Sequence, residues 1–248
     1  MNLKGKVALV TGSSLGLGAE IIKKLAQSGA DVIIHYNTHE QEAKKLEAEI
    51  KANYNVSSLV VKADITKEED ILNMVLKIID KFKKIDILIN NAALTIDCPY
   101  EEKTKDNFLK ILDTNVLGTF LVTKYVGRYM LANKYGKIVN VSSNNAINCY
   151  YPESIDYDAS KAAIISLTNN MAKYYAPYIN VNCVCPGWID TDINKQLGTD
   201  FKKEEINKIY LKRFASKEEV ANVLLFLVSD QASYVNNAII RVDGGMNG

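Results

Sequence analysis

Tyr157 and Lys161 stand four residues apart in Tyr157-Asp-Ala-Ser-Lys161. On a helix such residues share a face, so the ammonium can lower the phenol's pKa from about 10 and ready it for proton transfer. Chance also produces such pairs, and a chain with 14 tyrosines and abundant lysine is expected to hold one by accident. The pair gains meaning only from its surroundings. Asn140-Val-Ser-Ser143 ends one apolar run ahead of it, and Asn90-Asn91-Ala92-Ala93 follows another. Near the start, Thr11-Gly12-Ser13-Ser14-Leu15-Gly16-Leu17-Gly18 separates an apolar run from an amphipathic stretch. Free N–H groups and the dipole at a helix start favour phosphate, and glycines let the backbone approach a pyrophosphate. The spacing G-x-x-x-G-x-G is one residue longer than the usual dinucleotide fingerprint but keeps its strand-turn-helix setting.

A site for NAD normally places a carboxylate at the end of the second strand, where it accepts hydrogen bonds from the ribose hydroxyls. Here that end reads His35-Tyr36-Asn37-Thr38, with Asp31 at the opposite end of the strand and Glu40 on the next helix. No carboxylate repels a 2′-phosphate, so NADP(H) is the expected cofactor and NAD(H) the alternative. No arginine takes the carboxylate's place. Ser13, Ser14, His35, Asn37 and Thr38 are candidate phosphate partners, or plain turn and surface residues.

The elements that must position these residues are legible as periodicity. β-rich runs at 6–10, 31–36, 57–62, 85–90, 137–142, 179–185 and 238–242 alternate with amphipathic helical stretches. Ile71, Met74, Val75, Ile78, Ile79 and Phe82 line one helix face, for example. Strands such as Val-Ala-Leu-Val are apolar throughout, as in a parallel sheet covered on both faces. The expectation is an α/β fold: one doubly wound, Rossmann-type domain over residues 1–248 with about seven parallel strands. The polar, weakly patterned stretch 190–216 is expected to form a mobile lid, with an amphipathic segment at 204–211.

Composition removes other classes. The 248 residues are 48% hydrophobic and 24% charged, near globular averages, and the formal charge is +1. No global field draws the chain to nucleic acid or to an anionic membrane. The N-terminal apolar run is too short for a signal peptide, and no stretch approaches the roughly 20 apolar residues of a membrane span. A cytoplasmic protein is expected. Cys183 and Cys185 would share one face of a strand without the second pair that zinc needs, and are expected to be buried small hydrophobes.

Taken in order, the glycine loop, Asn90-Asn91-Ala92-Ala93, Asn140-Val-Ser-Ser143 and Tyr157-x-x-x-Lys161 resemble the short-chain dehydrogenase/reductase family. The likeness runs from about Lys4 to Gly245 and continues in Asn115-Val-Leu-Gly118, Asn182-Cys-Val-Cys-Pro186-Gly187-Trp-Ile-Asp-Thr191 and Val242-Asp-Gly-Gly245. It implies an NAD(P)-dependent oxidoreductase that interconverts a carbonyl and a secondary alcohol. Tyr157 would be the general acid/base. Lys161 would lower the phenol's pKa and bind the nicotinamide ribose, and Ser143 would polarise the substrate carbonyl. Ser143 fits the family spacing better than Ser142. Asn115 would complete the tetrad by anchoring a water that links Lys161 to solvent; its other reading is a polar residue bending a helix.

The likeness also implies a cofactor site. Gly12, Ser13, Ser14, Leu15, Gly16, Leu17 and Gly18 would form the phosphate loop. Tyr36, Asn37, Asp64 and Ile65 would border the adenosine, with Asp64 on the adenine. Asn91, Ala92 and Ala93 would underlie the nicotinamide ribose, and Pro186, Gly187, Ile189 and Thr191 the carboxamide. Ala93 stands where the family usually has glycine. No metal site is expected.

Among family members the chain is closest in texture to 3-oxoacyl-acyl-carrier-protein reductases and related reductases of small carbonyls. A carrier-protein partner is acidic; Lys134 offers one cation, while Tyr178 stands where a second is expected. Asn144, Asn145, Asn148, Tyr150, Tyr151 and Trp188 should border the substrate cleft, a lining that also suits a sugar, polyol or other small carbonyl. A silent dinucleotide sensor is less consistent with an intact tetrad, and an epimerase would need a larger C-terminal domain. Segments 117–131 and 164–175 look too apolar for solvent-facing helices, so a homotetramer is expected. Asn236-Asn237 departs from the family's glycine before the last strand.

Overall fold

Val7-Ala8-Leu9-Val10 is buried at every position, and its side chains alternate between two separate cores. Ala8 and Val10 join one, Val7 and Leu9 the other, so this strand lies in the middle of a sheet covered on both sides. The computed structural model describes residues 1–191, 194 and 197–247. Its strands are β1 (Val7–Val10), β2 (Asp31–Tyr36), β3 (Ser58–Lys62), β4 (Ile87–Asn90), β5 (Gly136–Val141), β6 (Ile179–Pro186) and β7 (Ile239–Val242). The helices are α1 (Gly16–Gln27), α2 (Glu40–Asn53), α3 (Glu68–Phe82), α4 (Lys105–Leu112), α5 (Gly118–Ala132), α6 (Ile155–Tyr175), α7 (Thr199–Lys208) and α8 (Lys217–Val228).

All strand pairs are parallel, in the order β3-β2-β1-β4-β5-β6-β7. This is the expected doubly wound sheet. The chain reverses its direction of travel between β1 and β4, and in such sheets ligands bind in the crevice beyond the strand ends at that point. The glycine loop leaves β1 there and Asn91 leaves β4 beside it.

Residues of α1, α2 and α8 share a core with one face of the sheet, and residues of α3, α5 and α6 with the other. The strand expected from Ile85 begins at Ile87, and the Asp86 carboxylate just ahead of it accepts the Val7 N–H at 2.8 Å. Within the expected lid, the helix begins at Thr199 rather than Glu204. Asp192, Ile193, Lys195 and Gln196 lie outside the described residues. The rest of this segment is anchored by Ile209 and Phe214, which pack with Cys149 and Met246. Cys183 and Cys185 are fully buried against Ile164, their sulfurs 3.9 Å apart. Among the described residues no helix is long and apolar enough to cross a membrane.

Candidate active site

The glycine loop is built by close approach. A Cβ on Gly18 would stand 2.4 Å from the Gly12 carbonyl oxygen and 2.7 Å from the Asn91 amide nitrogen, so only glycine fits. Around Gly16, which has φ +60°, a Cβ would meet nothing within 4 Å. No side chain caps the start of α1, and its first turn holds no acid.

Thr11 Oγ1 accepts the N–H groups of Asn91 and Ala92, each at 3.0 Å. Asn91 returns its amide to the carbonyls of Thr11 and Gly12 at 3.0 and 2.9 Å. The two loops of the crevice are thereby one unit, and Asn91's amide nitrogen serves the loop.

Two of the phosphate candidates face inward. Ser13 is fully buried and its hydroxyl accepts the His35 N–H at 2.9 Å. His35 is also buried: Nδ1 accepts the Gly12 N–H at 2.9 Å and Nε2 lies 3.1 Å from the Ala63 carbonyl. Burial pushes its pKa down to about 4, so the ring is neutral, with Nε2–H donating to Ala63. His35 is thus a bracket under the loop rather than a phosphate ligand. Ser14 is half-buried, and Leu15, Gly16, Asn37 and Thr38 remain exposed. Tyr36 packs into the core, and Ile65 is buried against Gly118. Asp64 is half-buried, its Oδ1 taken by the N–H and hydroxyl of Thr66.

Ser143, Tyr157 and Lys161 converge on a cavity of about 530 Å³ that also reaches Leu17, Asn91, Ala93, Pro186, Gly187, Ile189 and Thr191. The order of the family motifs in the chain thus becomes one surface. Tyr157 lies in the first turns of α6, and the Lys161 ammonium is 5.4 Å from its ring centroid. Lys161 is buried, donates to the Val141 carbonyl at 2.8 Å, and is held down to about 8 by desolvation. Burial pushes the Tyr157 phenol up to about 12, against the lowering expected from Lys161; the Ser143 hydroxyl opposes that rise, while Asp158 and Asp97 add to it. Ser142 commits its hydroxyl to the Lys161 carbonyl at 2.7 Å, whereas the Ser143 hydroxyl borders the cavity, accepts the Asn145 N–H and reaches Asn145 Oδ1, each at 3.2 Å.

Asn115 sits in a π-helical turn, Asp113–Leu117, between α4 and α5, so it does interrupt a helix. It also binds Leu94 in both directions, at 2.7 and 2.9 Å, and donates to Ser160 Oγ at 2.9 Å. Ser160 in turn donates to the Tyr157 carbonyl at 2.7 Å. In this structure Asn115 therefore serves the backbone around Tyr157, and the carbonyl of Val141 holds Lys161.

Of the expected cleft residues, Asn144, Asn145, Tyr151 and Trp188 line the cavity, whereas Asn148 binds the Met246 carbonyl and the Tyr150 hydroxyl donates to Ile147. Two features escape sequence reasoning. Glu205, 2% exposed, accepts the Tyr151 hydroxyl at 2.5 Å and Trp188 Nε1 at 3.0 Å, which sets two cavity walls from α7. Lys103 and Asp156 form a buried ion pair beside Tyr157. A lone acid within a polar, amphipathic stretch and an ordinary lysine carry no local signal of such roles.

A nicotinamide dinucleotide fits these residues. The uncapped helix start beside Gly16 suits its pyrophosphate, and a buried ammonium donating to one carbonyl suits its ribose hydroxyls. A family model described as enoyl-(acyl carrier protein) reductase matches residues 12–247. The 3-oxoacyl-[acyl-carrier-protein] reductase of Aquifex aeolicus is 40% identical over 99% of both chains. That of Thermotoga maritima is 36% identical, also over 99% of each. The crystal structure of a provisionally named gluconate dehydrogenase from Agrobacterium tumefaciens superposes with a TM-score of 0.94 at 31% identity, covering 99% of this chain and 97% of that one. With the crevice, the loop and the Ser143, Tyr157 and Lys161 cluster in place, the chain belongs to the short-chain dehydrogenase/reductase family and is an NAD(P)-dependent oxidoreductase of carbonyls and alcohols.

Proposed function

We propose that the chain reduces the ketone of a 3-oxoacyl thioester with NADPH, Tyr157 delivering the proton. The observation that carries the reading is the convergence of Tyr157, Ser143 and Lys161 on the cavity that the glycine loop enters. Bound NADPH supplies the hydride. Ser143 donates a hydrogen bond to the ketone oxygen, where negative charge develops. The phenol, at about 12, is protonated at neutral pH and gives its proton to that oxygen. The Lys161 ammonium, 5.4 Å from the phenol's ring centroid, is the cation assigned to stabilise the phenolate.

NADPH is favoured over NADH by the end of β2. Asn37 and Thr38 are exposed there, and Tyr36 pairs in register with Lys62. Glu40 is paired with Lys44 at 2.6 Å.

The thioester class rests on two relatives matched over nearly their whole length. An acyl carrier protein is the corresponding partner, with Lys134, stacked 5.8 Å over Tyr178, as one cation for it. A second reading, a hydroxylated small carbonyl, is favoured by the cavity lining. Thr95, Asn145, Ser154 and Asn194 are polar, and exposed Asp97 and Glu153 would repel an anionic carrier.

A panel of acetoacetyl thioesters and keto-polyols, assayed with NADPH and NADH, decides. Thioester turnover with NADPH is expected; turnover of keto-polyols alone selects the second reading, and oxidation of NADPH by no carbonyl overturns both. Leu109, Leu117, Phe120 and Tyr174 are exposed on α4, α5 and their junction, and on α6, as the homotetramer we propose requires. A monomer by sedimentation would refute it. The compartment we assign is the cytoplasm, where four unpaired thiols persist.

A further inference from the structure

A buried ion pair lies one residue before the phenol. Lys103 Nζ and Asp156 Oδ1 meet at 2.8 Å with side chains 7% and 0% exposed. Taking two charges out of water costs several kcal/mol each, and replacing such a pair by apolar groups is often neutral or stabilising. Stability alone is therefore a weak reason for it.

Its connections point elsewhere. Asp156 Oδ1 also accepts the Tyr157 backbone N–H at 2.9 Å. Lys103 Nζ also donates to the Ile96 carbonyl at 2.5 Å. Ile96 belongs to the segment after β4 that lines the cavity with Asn91, Ala93, Thr95 and Asp97. The same segment is tied to α6 a second time, through Leu94, Asn115 and Ser160 to the Tyr157 carbonyl. One strut is uncharged and the other charged, and they hold opposite ends of the Tyr157 backbone unit. Among the described residues Asp156 Oδ2 is buried without a hydrogen-bond partner.

Resting on Tyr157 as proton donor, we propose that Lys103 and Asp156 are a positioning pair that fixes the phenol against the substrate-facing segment 91–97. Neither side chain lines the cavity, and neither exchanges a proton in the reaction.

The test uses Lys103→Met, Asp156→Asn and the double variant in the full chain. Three quantities are read: the urea midpoint, kcat and KM with NADPH and acetoacetyl-N-acetylcysteamine, and the Tyr157 ionisation by ¹³C-tyrosine NMR without substrate, assigned with Tyr157→Phe. Each single variant is expected to lower the midpoint, because one buried charge loses its partner. The double variant regains part of the midpoint, because no unpaired charge is left buried and the carbonyl of the introduced amide replaces the carboxylate as acceptor for the Tyr157 N–H. Its kcat stays down about tenfold or more, because Ile96 has lost its strut and small misplacements are costly. KM for NADPH stays within about twofold. The phenol's pKa falls from about 12 toward the ordinary 10 as water reaches it, with Ser143, Lys161, Asp97 and Asp158 all retained around it. Recovery of kcat together with the midpoint would overturn the proposal, as would an unmoved phenol titration. A wild type that reduces no thioester would defeat the proposed substrate instead, and the NMR titration would still decide the role of the pair.

Discussion

Acid should loosen the glycine loop through a single imidazole. His35 is 2% exposed and binds Gly12 through Nδ1 and Ala63 through Nε2, an arrangement that only the neutral ring makes. Its pKa is about 4 in the folded chain against an ordinary 6.5. Between these values the unfolded chain holds a proton that the native state refuses. The stability that His35 provides is therefore complete above pH 6.5 and drains as the pH falls toward 4. At about 1.4 kcal/mol per pH unit the loss is about 3 kcal/mol in full, and about 2.5 kcal/mol by pH 4.5. Carboxylates such as Asp64, whose pKa is lowered in the folded chain, also lose stability in acid, so the measurement is a difference. Urea unfolding of wild type and His35→Gln is compared at pH 7.5 and 4.5, at one protein concentration. Gln offers an acceptor and a donor but no titrating nitrogen, so wild type is expected to lose about 2.5 kcal/mol more than the variant. The chain has only two histidines, which makes the imidazole signals simple to follow by NMR. Equal pH dependence in the two proteins would refute the reasoning.

Other outcomes follow from the same geometry. Tyr157→Phe should lower kcat by about 10²–10⁴-fold with NADPH affinity unchanged, measured by steady-state kinetics and fluorescence titration. Gly18→Ala must displace the Gly12 carbonyl 2.4 Å away, and should cost about 1–3 kcal/mol in urea unfolding and most of the NADPH affinity in the same titration. Glu205→Gln weakens the bonds from Tyr151 and Trp188; KM for the carbonyl should rise while the dissociation constant for NADPH stays put.

The sheet was readable because burial on both faces demands mostly apolar, β-rich strands. Runs at 31–36 and 179–185 match β2 and all but the last residue of β6. The proposed active-site residues were readable for another reason. Ser143, Tyr157 and Lys161 each carry a chemistry that tolerates few replacements, and their order along the chain is itself a pattern. His35 shows the limit: its position at the end of β2 suggested a phosphate contact, and burial decided for a loop bracket.

From the sequence by itself came the fold class, the loop proposed to meet a dinucleotide and the side chains proposed to move a proton, because periodicity and residue chemistry are local properties of the chain. Only the tertiary structure decided how those side chains are held. Lys103 meets Asp156 across 53 positions, Tyr151 meets Glu205 across 54, and Gly12 meets His35 across 23. Such contacts depend on how separate elements pack and how far water is excluded, and no local run of residues records either.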